Sequence, residues 1–308
     1  MTTLQTRRAG GDKKVRLALT TVAAVVLLVL VVLGARWLRG TDGAQDFLTR
    51  YTGHSALPAG APVGLPAWLG WQHFLNGFFL LLIVRTGWQV RTTTRPAAYW
   101  TRNNKGLIRT KGTPKKISLD LWLHLSLDAL WVLNGIVFMV LLFATNQWMR
   151  IVPTSWDIIP NAASAMLQYA SFNWPLESGW VNYNALQVLA YFVTVFVAAP
   201  LALISGLRMS PAWPKNTALN KLYPIEVARA LHLPVMFYFV AFMAVHVTLV
   251  LTTGALQNLN HMYAGRTDDS WLGVGIFAVS LAVMVAAWFM ARPLFLRSIA
   301  SLTGRVSR

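Results

Sequence analysis

The sequence contains no cysteine, and only 12% of its 308 residues are charged. The missing cysteine excludes disulfides, thiolate metal sites, iron–sulfur clusters and covalently attached c-type haem. In soluble domains about a quarter of the residues are charged, so this scarcity argues against a soluble fold. Acidic residues are the rarer class, 10 against 27 Lys and Arg, and the net charge is +17. Such a charge is typical of nucleic-acid-binding proteins or of the cytoplasmic loops of membrane proteins.

Hydrophobic residues make up 56% of the sequence and are collected into six long apolar runs. Each run is close to or above the ~20 residues that a helix needs to cross the hydrocarbon core of a bilayer. The runs lie at residues 17–35, 69–89, 119–145, 183–207, 228–252 and 271–291. The sequence therefore predicts an all-α, polytopic membrane helical bundle of about six transmembrane helices, forming a single membrane domain over residues 1–308.

The positions of Lys and Arg predict the direction in which each helix runs. With a cytoplasmic amino terminus, the cytoplasmic segments hold twenty basic residues and the segments on the other side hold five. This asymmetry follows the positive-inside rule, so we expect a multi-pass protein of the inner (plasma) membrane with both termini cytoplasmic. It also assigns the net charge to the membrane surface rather than to nucleic acid. The basic loop 91–116 is expected to contact anionic membrane lipids, with docking of an acidic soluble partner as the alternative.

The first apolar run has two interpretations. Residues 17–35 follow a basic segment, as a signal sequence does, but Gly34-Ala35-Arg36-Trp37 is a poor small-residue cleavage site. We therefore expect a retained N-terminal anchor helix, with cleavage as the alternative.

Four of the six histidines fall inside the predicted helices, where an ionisable residue is costly and marks a candidate functional site. They are His73, His124, His232 and His246. The last two share one helix and are fourteen residues apart, which puts their rings on the same face and ~21 Å apart along the axis. That separation is too long for one metal ion, but it suits two flat cofactors at different depths.

The predicted helix directions pair these histidines by depth. His124 and His232 are expected near the inner face, and His73 and His246 near the outer face. Two neutral imidazoles fill both axial positions of a haem iron and leave none for oxygen or substrate. The pattern therefore predicts two haem b groups that transfer electrons.

Other histidine patterns fit this sequence less well. It contains no HxxxH or HxxHH cluster of the kind found in membrane desaturases, and no HExxH motif. Ferric reductases and respiratory cytochromes b carry a histidine pair on each of two helices. Here Gly87 lies fourteen residues after His73, and Phe138 lies fourteen after His124.

The distribution of one, one, none and two histidines over four consecutive helices resembles the prokaryotic dihaem cytochrome b561 family. This family includes the membrane subunits of formate dehydrogenase, Ni,Fe-hydrogenase and thiosulfate reductase. The resemblance covers residues 68–254 and rests on WQHFLNGFFLLLIVRTGW, LWLHLSLDALWVLNG and the double-histidine helix HLPVMFYFVAFMAVH. The first and sixth helices are additions to the family pattern. The extra first helix inverts the core relative to the formate dehydrogenase subunit.

The resemblance implies a four-helix haem-binding core over residues 68–254, with axial ligands at His73, His124, His232 and His246. It also implies exchange of electrons with a quinone and with a redox enzyme subunit, a molybdoenzyme or a similar protein. Because the core is inverted, the side on which that partner docks is not carried over. The chain is expected to be an electron-transfer subunit rather than a stand-alone enzyme.

Other polar residues are weaker candidates. Asp128, one turn after His124, is expected to orient a ligand or relay a proton, unless it is a buried acid with a packing role. Arg85 and Arg208 are candidates to pair with haem propionates, against the alternative of snorkelling to lipid phosphate. His261, in an outer loop after the double-histidine helix, is a candidate quinone-site residue, against a solvated surface histidine.

Two functions of other classes stay open. A transporter whose histidines line a pathway predicts broken helices near the midplane and internal repeats, and Pro200 and Pro234 are positioned to break helices. A membrane anchor subunit without a cofactor would leave four depth-matched histidines unexplained.

Overall fold

The computed structural model describes residues 2–105, 113–174, 179–214 and 218–308, and it describes side chains from residue 14 onward. The helices are α1 (Thr2–Arg39), α2 (Asp42–Arg50), α3 (Ala67–Thr92), α4 (Leu119–Ala144), α5 (Ile158–Ala170), α6 (Ala185–Met209), α7 (Leu219–Leu222), α8 (Ile225–Thr252), α9 (Ala255–Leu259), α10 (Leu272–Met290) and α11 (Pro293–Ser301). The strands are β1 (Tyr99–Arg102), β2 (Lys116–Ser118) and β3 (Gly304–Ser307).

Six of the described helices are long and apolar enough to cross a membrane, namely α1 (from Lys14), α3, α4, α6, α8 and α10. Their bounds agree with the six apolar runs to within a few residues. Many of their large apolar side chains are exposed, including Leu27 at 63% and Val279 at 66%. Such a surface is costly in water, whereas lipid tails are as apolar as the side chains themselves. The predicted all-α helical bundle is confirmed, and the protein is a multi-pass membrane protein.

Local signals fix where several of these helices begin. Pro66 and Pro224 lie immediately before α3 and α8, with φ angles of −66° and −60° that the proline ring imposes. Ser118 caps α4, because its hydroxyl accepts a hydrogen bond from the backbone N–H of Leu121 at 3.2 Å.

The two prolines inside helices have different local structures. In α6 a π-helical segment, Val193–Ala198, ends two residues before Pro200. Because proline has no backbone N–H, a wider turn at this point accommodates the missing helical hydrogen bond. In α8 the helix continues through Pro234 without a break. Both helices are therefore continuous over their full length.

The contacts within the chain divide it into two compact units, and the first comprises residues 1–58, 151–178 and 182–190. It contains α1, α2, α5 and the first residues of α6. Helices α1 and α5 are joined by a hydrogen bond from Arg36 Nε to the carbonyl oxygen of Ser171, at 3.2 Å. Buried Asn161 accepts a hydrogen bond from the backbone N–H of Gly53 at 3.1 Å. The loop that contains Gly53 is therefore held to α5 by a buried polar contact.

The second unit comprises residues 59–150, 179–181 and 191–308. Within it α3 packs against α4, and α6 packs against α8. Leu82, Leu127 and Ala291 form one buried cluster, and Ala198, Val235 and Phe239 form another. All four helices that carry the predicted haem-binding core contribute to this unit. The single membrane domain of residues 1–308 stays a prediction.

A three-stranded antiparallel sheet in the second unit adds to the predicted helices. Its order is β2-β1-β3, so the central strand comes from the basic loop and pairs with β3, which follows the last membrane helix. Trp100 of β1 lies opposite Ile117 and Val306. β-branched and aromatic residues favour strands, although segments of three and four residues carry too little pattern to be recognised. Arg109 and Lys111 of the same loop lie outside the described residues.

Candidate cofactor site

The structure brings the four membrane histidines together in two pairs. The ring centres of His73 on α3 and His246 on α8 are 6.0 Å apart, with 55° between the ring planes. Those of His124 on α4 and His232 on α8 are 6.5 Å apart, with 84° between the planes. Each pair thus takes one ring from α8 and one from a neighbouring helix. The fourteen residues between the two rings of α8 separate the pairs by ~21 Å along the helix.

These distances fit a metal ion held between two imidazoles. A first-row metal binds an imidazole nitrogen at ~2 Å, as zinc does, and that nitrogen lies about 1.2 Å from its ring centre, so two axial rings have centres ~6.4 Å apart. Among the described residues no group of three or more His, Asp or Glu is arranged to hold a metal ion. A cofactor that supplies the other four ligands itself, as a porphyrin does, therefore suits a two-histidine site.

The ring of His124 is oriented by a buried hydroxyl group of α3. Thr86 Oγ1 lies 3.0 Å from His124 Nδ1 and 2.8 Å from the carbonyl oxygen of Leu82. The carbonyl oxygen can only accept, so the hydroxyl hydrogen points to it and Oγ1 accepts the Nδ1–H of the imidazole. The second ring nitrogen, Nε2, then carries a lone pair, which is the form that binds a metal.

The ring of His232 is oriented in the same way by α6. Ser205 Oγ lies 2.9 Å from His232 Nδ1 and donates to the carbonyl oxygen of Leu201 at 2.6 Å. Thr86 and Ser205 are both 0% exposed, so no water competes for these hydrogen bonds. Both imidazoles of this pair are therefore held with Nε2 free of a proton.

A glycine follows each hydroxyl residue and makes room for the imidazole. A Cβ atom on Gly87 would lie 3.1 Å from Cε1 of His124, and one on Gly206 would lie 3.3 Å from Cε1 of His232. Both distances are tighter than ordinary van der Waals contact. A hydroxyl–glycine dipeptide thus receives each ring of the pair.

Asp128 lies beside the same pair. Its Oδ2 atom is 3.6 Å from His124 Nε2, one helical turn along α4. That distance is too long for a hydrogen bond. A carboxylate next to an unprotonated ring nitrogen is stabilised by a cation bound at that nitrogen. The placement is therefore compatible with a metal ion between His124 and His232.

The His73–His246 pair has aromatic neighbours. The ring of His246 stacks on Phe242 at 5.6 Å, and that of Tyr191 lies 6.1 Å away. Tyr263 meets the ring of His73 edge-on at 5.9 Å. Nδ1 of His73 is buried and has no hydrogen-bond partner among the described residues. The two pairs therefore have the same ligands and different surroundings.

Comparison with known proteins found a similarity to a protein that is named as a redox-enzyme subunit. The chain is similar to a protein of Azospira oryzae that is named, provisionally, as subunit YedZ1 of a protein-methionine-sulfoxide reductase. The two are 27% identical over 198 residues, which are 60% of this chain and 88% of the relative. No protein-family profile matches the chain, and no solved structure matches it.

His261 lies in a π-helical segment, Asn260–Ala264, and is 3% exposed. Its ring packs on Trp180 with ring centres 5.4 Å apart, and its Nε2 has no hydrogen-bond partner among the described residues. Burial, followed by the positive charge of Arg150, lowers the pKa of His261. It is therefore a buried, neutral histidine rather than a solvated one.

The segment that carries His261 is held by one buried asparagine. The side chain of Asn260 donates to the carbonyl oxygens of Asp268 and Ser270, both at 2.6 Å. Its Oδ1 accepts the backbone N–H of Gly273, the second residue of α10, at 2.7 Å. This side chain thus ties the loop after α9 to the start of α10.

The two arginines singled out by sequence have protein partners. Arg85 donates to the carbonyl oxygen of Trp288 and lies over the ring of that residue, 4.6 Å from its centre. Arg208 donates to the carbonyl oxygen of Tyr223 at 2.6 Å and lies over the ring of Trp213. A role toward haem propionates stays a prediction for both.

Sequence reasoning did not identify the two hydroxyl–glycine dipeptides. Thr86-Gly87 and Ser205-Gly206 occupy the last two turns of α3 and α6, and each is followed by the next ligand helix. In the sequence, Gly87 is notable only because it stands fourteen residues after His73, where a helix with a histidine pair would carry its second histidine. The signal that was present is the repetition of a small hydroxyl residue and a glycine near the same ends of two apolar helices.

Proposed function

We propose that this protein is a membrane dihaem b-type cytochrome that transfers electrons between a quinone pool and a redox partner subunit. The observation that carries the proposal is the pairing of four imidazoles on three helices, with ring centres 6.0 and 6.5 Å apart. His124 and His232 would hold one haem, and His73 and His246 the other. A haem bound in this way supplies reversible one-electron chemistry at its iron.

The residues of the chain account for selectivity toward electron transfer. The two histidines of each site would occupy both axial positions of the haem iron, and would leave no open ligand position for oxygen or a substrate. Rigid helices fix the rings, and the hydroxyls of Thr86 and Ser205 fix the nitrogen that faces the metal. All four imidazoles are also at least partly buried within the chain, and burial tunes the potential of a redox centre.

The partner is proposed to be the catalytic subunit of a reductase, a molybdoenzyme or a similar protein. Support comes from the relative in Azospira oryzae, which is itself named as a subunit of a protein-methionine-sulfoxide reductase. In this arrangement the chain described here carries electrons, and the reduction of the final substrate takes place on the partner.

The distribution of basic residues supports an orientation in the inner membrane with both termini cytoplasmic. In that orientation His124 and His232 lie toward the cytoplasmic face and His73 and His246 toward the opposite face. The residues 1–35 would then remain as an anchor helix.

A quinone site is proposed around His261. The support is its burial together with an Nε2 atom that has no partner, because such an atom can bond a quinone oxygen. Trp180 covers the ring of His261 and offers an aromatic face for a quinone head group. We also propose that three residues influence the haem of the His124–His232 pair. Asp128 would act through its charge, and Arg85 and Arg208 through the haem propionates.

The alternatives from other classes have less support. A transporter would be favoured by helices interrupted near the midplane, whereas α6 and α8 continue through Pro200 and Pro234. A cofactor-free anchor subunit gives no reason for hydroxyl–glycine dipeptides beside two of four paired histidines.

The test is the haem content and spectrum of the purified protein. We expect a reduced-minus-oxidised spectrum of a b-type cytochrome and about two haems per chain, one for each bis-histidine site. Substitution of His54, which belongs to neither pair, by alanine is the control and should leave this content unchanged. A stable, colourless wild-type protein, prepared with haem available, would refute the proposal.

A further inference from the structure

The two histidine pairs differ in what holds their outer ring nitrogens. Nδ1 of His124 and Nδ1 of His232 both donate to buried hydroxyl groups, at 3.0 and 2.9 Å. Nδ1 of His73 is buried without a partner among the described residues, whereas the ring of His246 lies against the rings of Phe242 and Tyr191. The difference concerns the groups behind the ligands rather than the ligands themselves.

A hydrogen bond from Nδ1–H changes the ligand on the opposite side of the ring. When Nδ1–H donates to an oxygen, electron density moves toward Nε2 and the imidazole becomes a more basic ligand. A more basic axial ligand stabilises the ferric state more than the ferrous state, because the ferric iron carries one more positive charge. The reduction potential of the iron is therefore lowered.

The charge of Asp128 acts in the same direction. Its carboxyl group is 3.6 Å from His124 Nε2, the atom proposed to bind iron. A negative charge at that position also stabilises the ferric state over the ferrous state. Among the described residues, no acid lies in an ion pair with His73 or His246.

We propose that Thr86 and Ser205 are positioning residues that make the haem of the His124–His232 pair the lower-potential one of the two. This inference rests on the proposed function, since it presumes that both pairs hold haem. Each hydroxyl accepts a hydrogen bond from Nδ1–H and donates one to a backbone carbonyl oxygen of its own helix. Thr86 donates to Leu82 and Ser205 donates to Leu201. Each glycine that follows, Gly87 or Gly206, gives the ring the space to reach that hydroxyl.

The test is a potentiometric titration of the two haem components in the purified full-length protein. His232→Ala and His246→Ala assign the components, because each variant should remove one of them. We expect the component lost in His232→Ala to have the lower midpoint potential in the wild type. Thr86→Val and Ser205→Ala should raise that potential and leave the other component in place.

Conservative variants separate hydrogen bonding from packing. Thr86→Ser and Ser205→Thr keep the hydroxyl and should keep the wild-type potential. Ser126→Ala is the matched control, because Ser126 lies on α4 close to His124 and its hydroxyl bonds to the carbonyl oxygen of Trp122. If Thr86→Val weakens haem binding, by the roughly 10–100-fold typical of lost outer-shell partners, Thr86→Ser should restore it.

Three results would overturn the inference while leaving the proposed function intact. One is a wild type in which the His124–His232 component has the higher potential. Another is a pair of hydroxyl variants that leave the potential unchanged or shift both components equally. The last is loss of the component in Thr86→Val and Thr86→Ser alike. Absence of haem from the wild type would instead refute the proposed function itself.

Discussion

The two ends of the histidine-bearing helix α8 differ in how they are built, although each supplies one imidazole to a pair. Around His232 the neighbours are polar, with Ser205 behind the ring and Asp128 close to its partner His124. Around His246 the neighbours are aromatic, with Phe242 stacked on the ring at 5.6 Å. The comparison teaches that identical ligand sets can be given different properties by the residues behind them.

The largest effect is expected from removing a ligand of one pair. His232→Ala and His246→Ala should each lower the haem content from about two per chain to about one, because a haem held by one imidazole is weakly bound. The measurement is haem per chain in protein that elutes as a single species in detergent. If either substitution removed both haems, the two pairs would not be independent sites.

A smaller effect, confined to the His124–His232 pair, is expected from filling its glycine spaces. In Gly87→Leu and Gly206→Leu the new side chain must displace an imidazole ring from which even a Cβ would be 3.1 or 3.3 Å away. We expect haem affinity at this pair to fall on the order of 10-fold or more, with the other pair unaffected.

The control for these variants is Gly135→Leu on α4. A Cβ at Gly135 has nothing within 4 Å, so a leucine there has open space. Equal losses in Gly135→Leu and Gly87→Leu would mean that the effect comes from the helices in general.

The loop beside the His73–His246 pair is expected to depend on Asn260. In Asn260→Ala the two carbonyl oxygens and the one N–H that it satisfies lose their partner, at a cost of about 2–4 kcal/mol. Hydrogen exchange over residues 260–273 should become faster, while exchange around His124 and Thr86 should not change. Asn258→Ala is the control, since Asn258 is partly exposed and should matter less. Faster exchange both over residues 260–273 and around His124 and Thr86 would mean that the effect of Asn260 is not confined to this loop.

The smallest effect concerns pH and His261. Because the pKa of His261 is lowered in the folded protein, the unfolded chain binds a proton at this residue more readily below about pH 6.5. Protonation therefore favours unfolding. The free energy of unfolding is therefore unaffected by His261 above that pH, and it decreases as the pH falls toward the pKa of His261 in the folded protein. In His261→Gln this loss is absent, so between pH 7 and 5 the Tm should fall less than in the wild type, by about 2–4 °C or under. Equal pH slopes in the two proteins would contradict this prediction.

The sequence was sufficient for the features that depend on long patterns. Apolar runs of about 20 residues predicted six helices, and they are present at those positions. The fourteen-residue spacing of His232 and His246 placed both rings on one face, and basic residues predicted the depth of each neighbour. The role of the four membrane histidines as haem ligands stays a prediction, although their rings lie in the expected pairs.

The features that sequence did not predict depend on contacts between distant segments. Thr86 and His124 are 38 residues apart, and the hydroxyl of Thr86 looks like any other on an apolar helix until α3 and α4 pack together. His261 looked like a loop residue, and it is buried because Asn260 folds the loop onto the start of α10. Strands β1 and β3 are about two hundred residues apart in the sequence, so no local pattern predicts their pairing.

The pairing of β3 with β1 has a consequence for the order in which this protein is made. β1 is synthesised soon after the second membrane helix, whereas β3 follows the sixth. The sheet can therefore be completed only after the four membrane helices between these two strands, α4, α6, α8 and α10, have been translated.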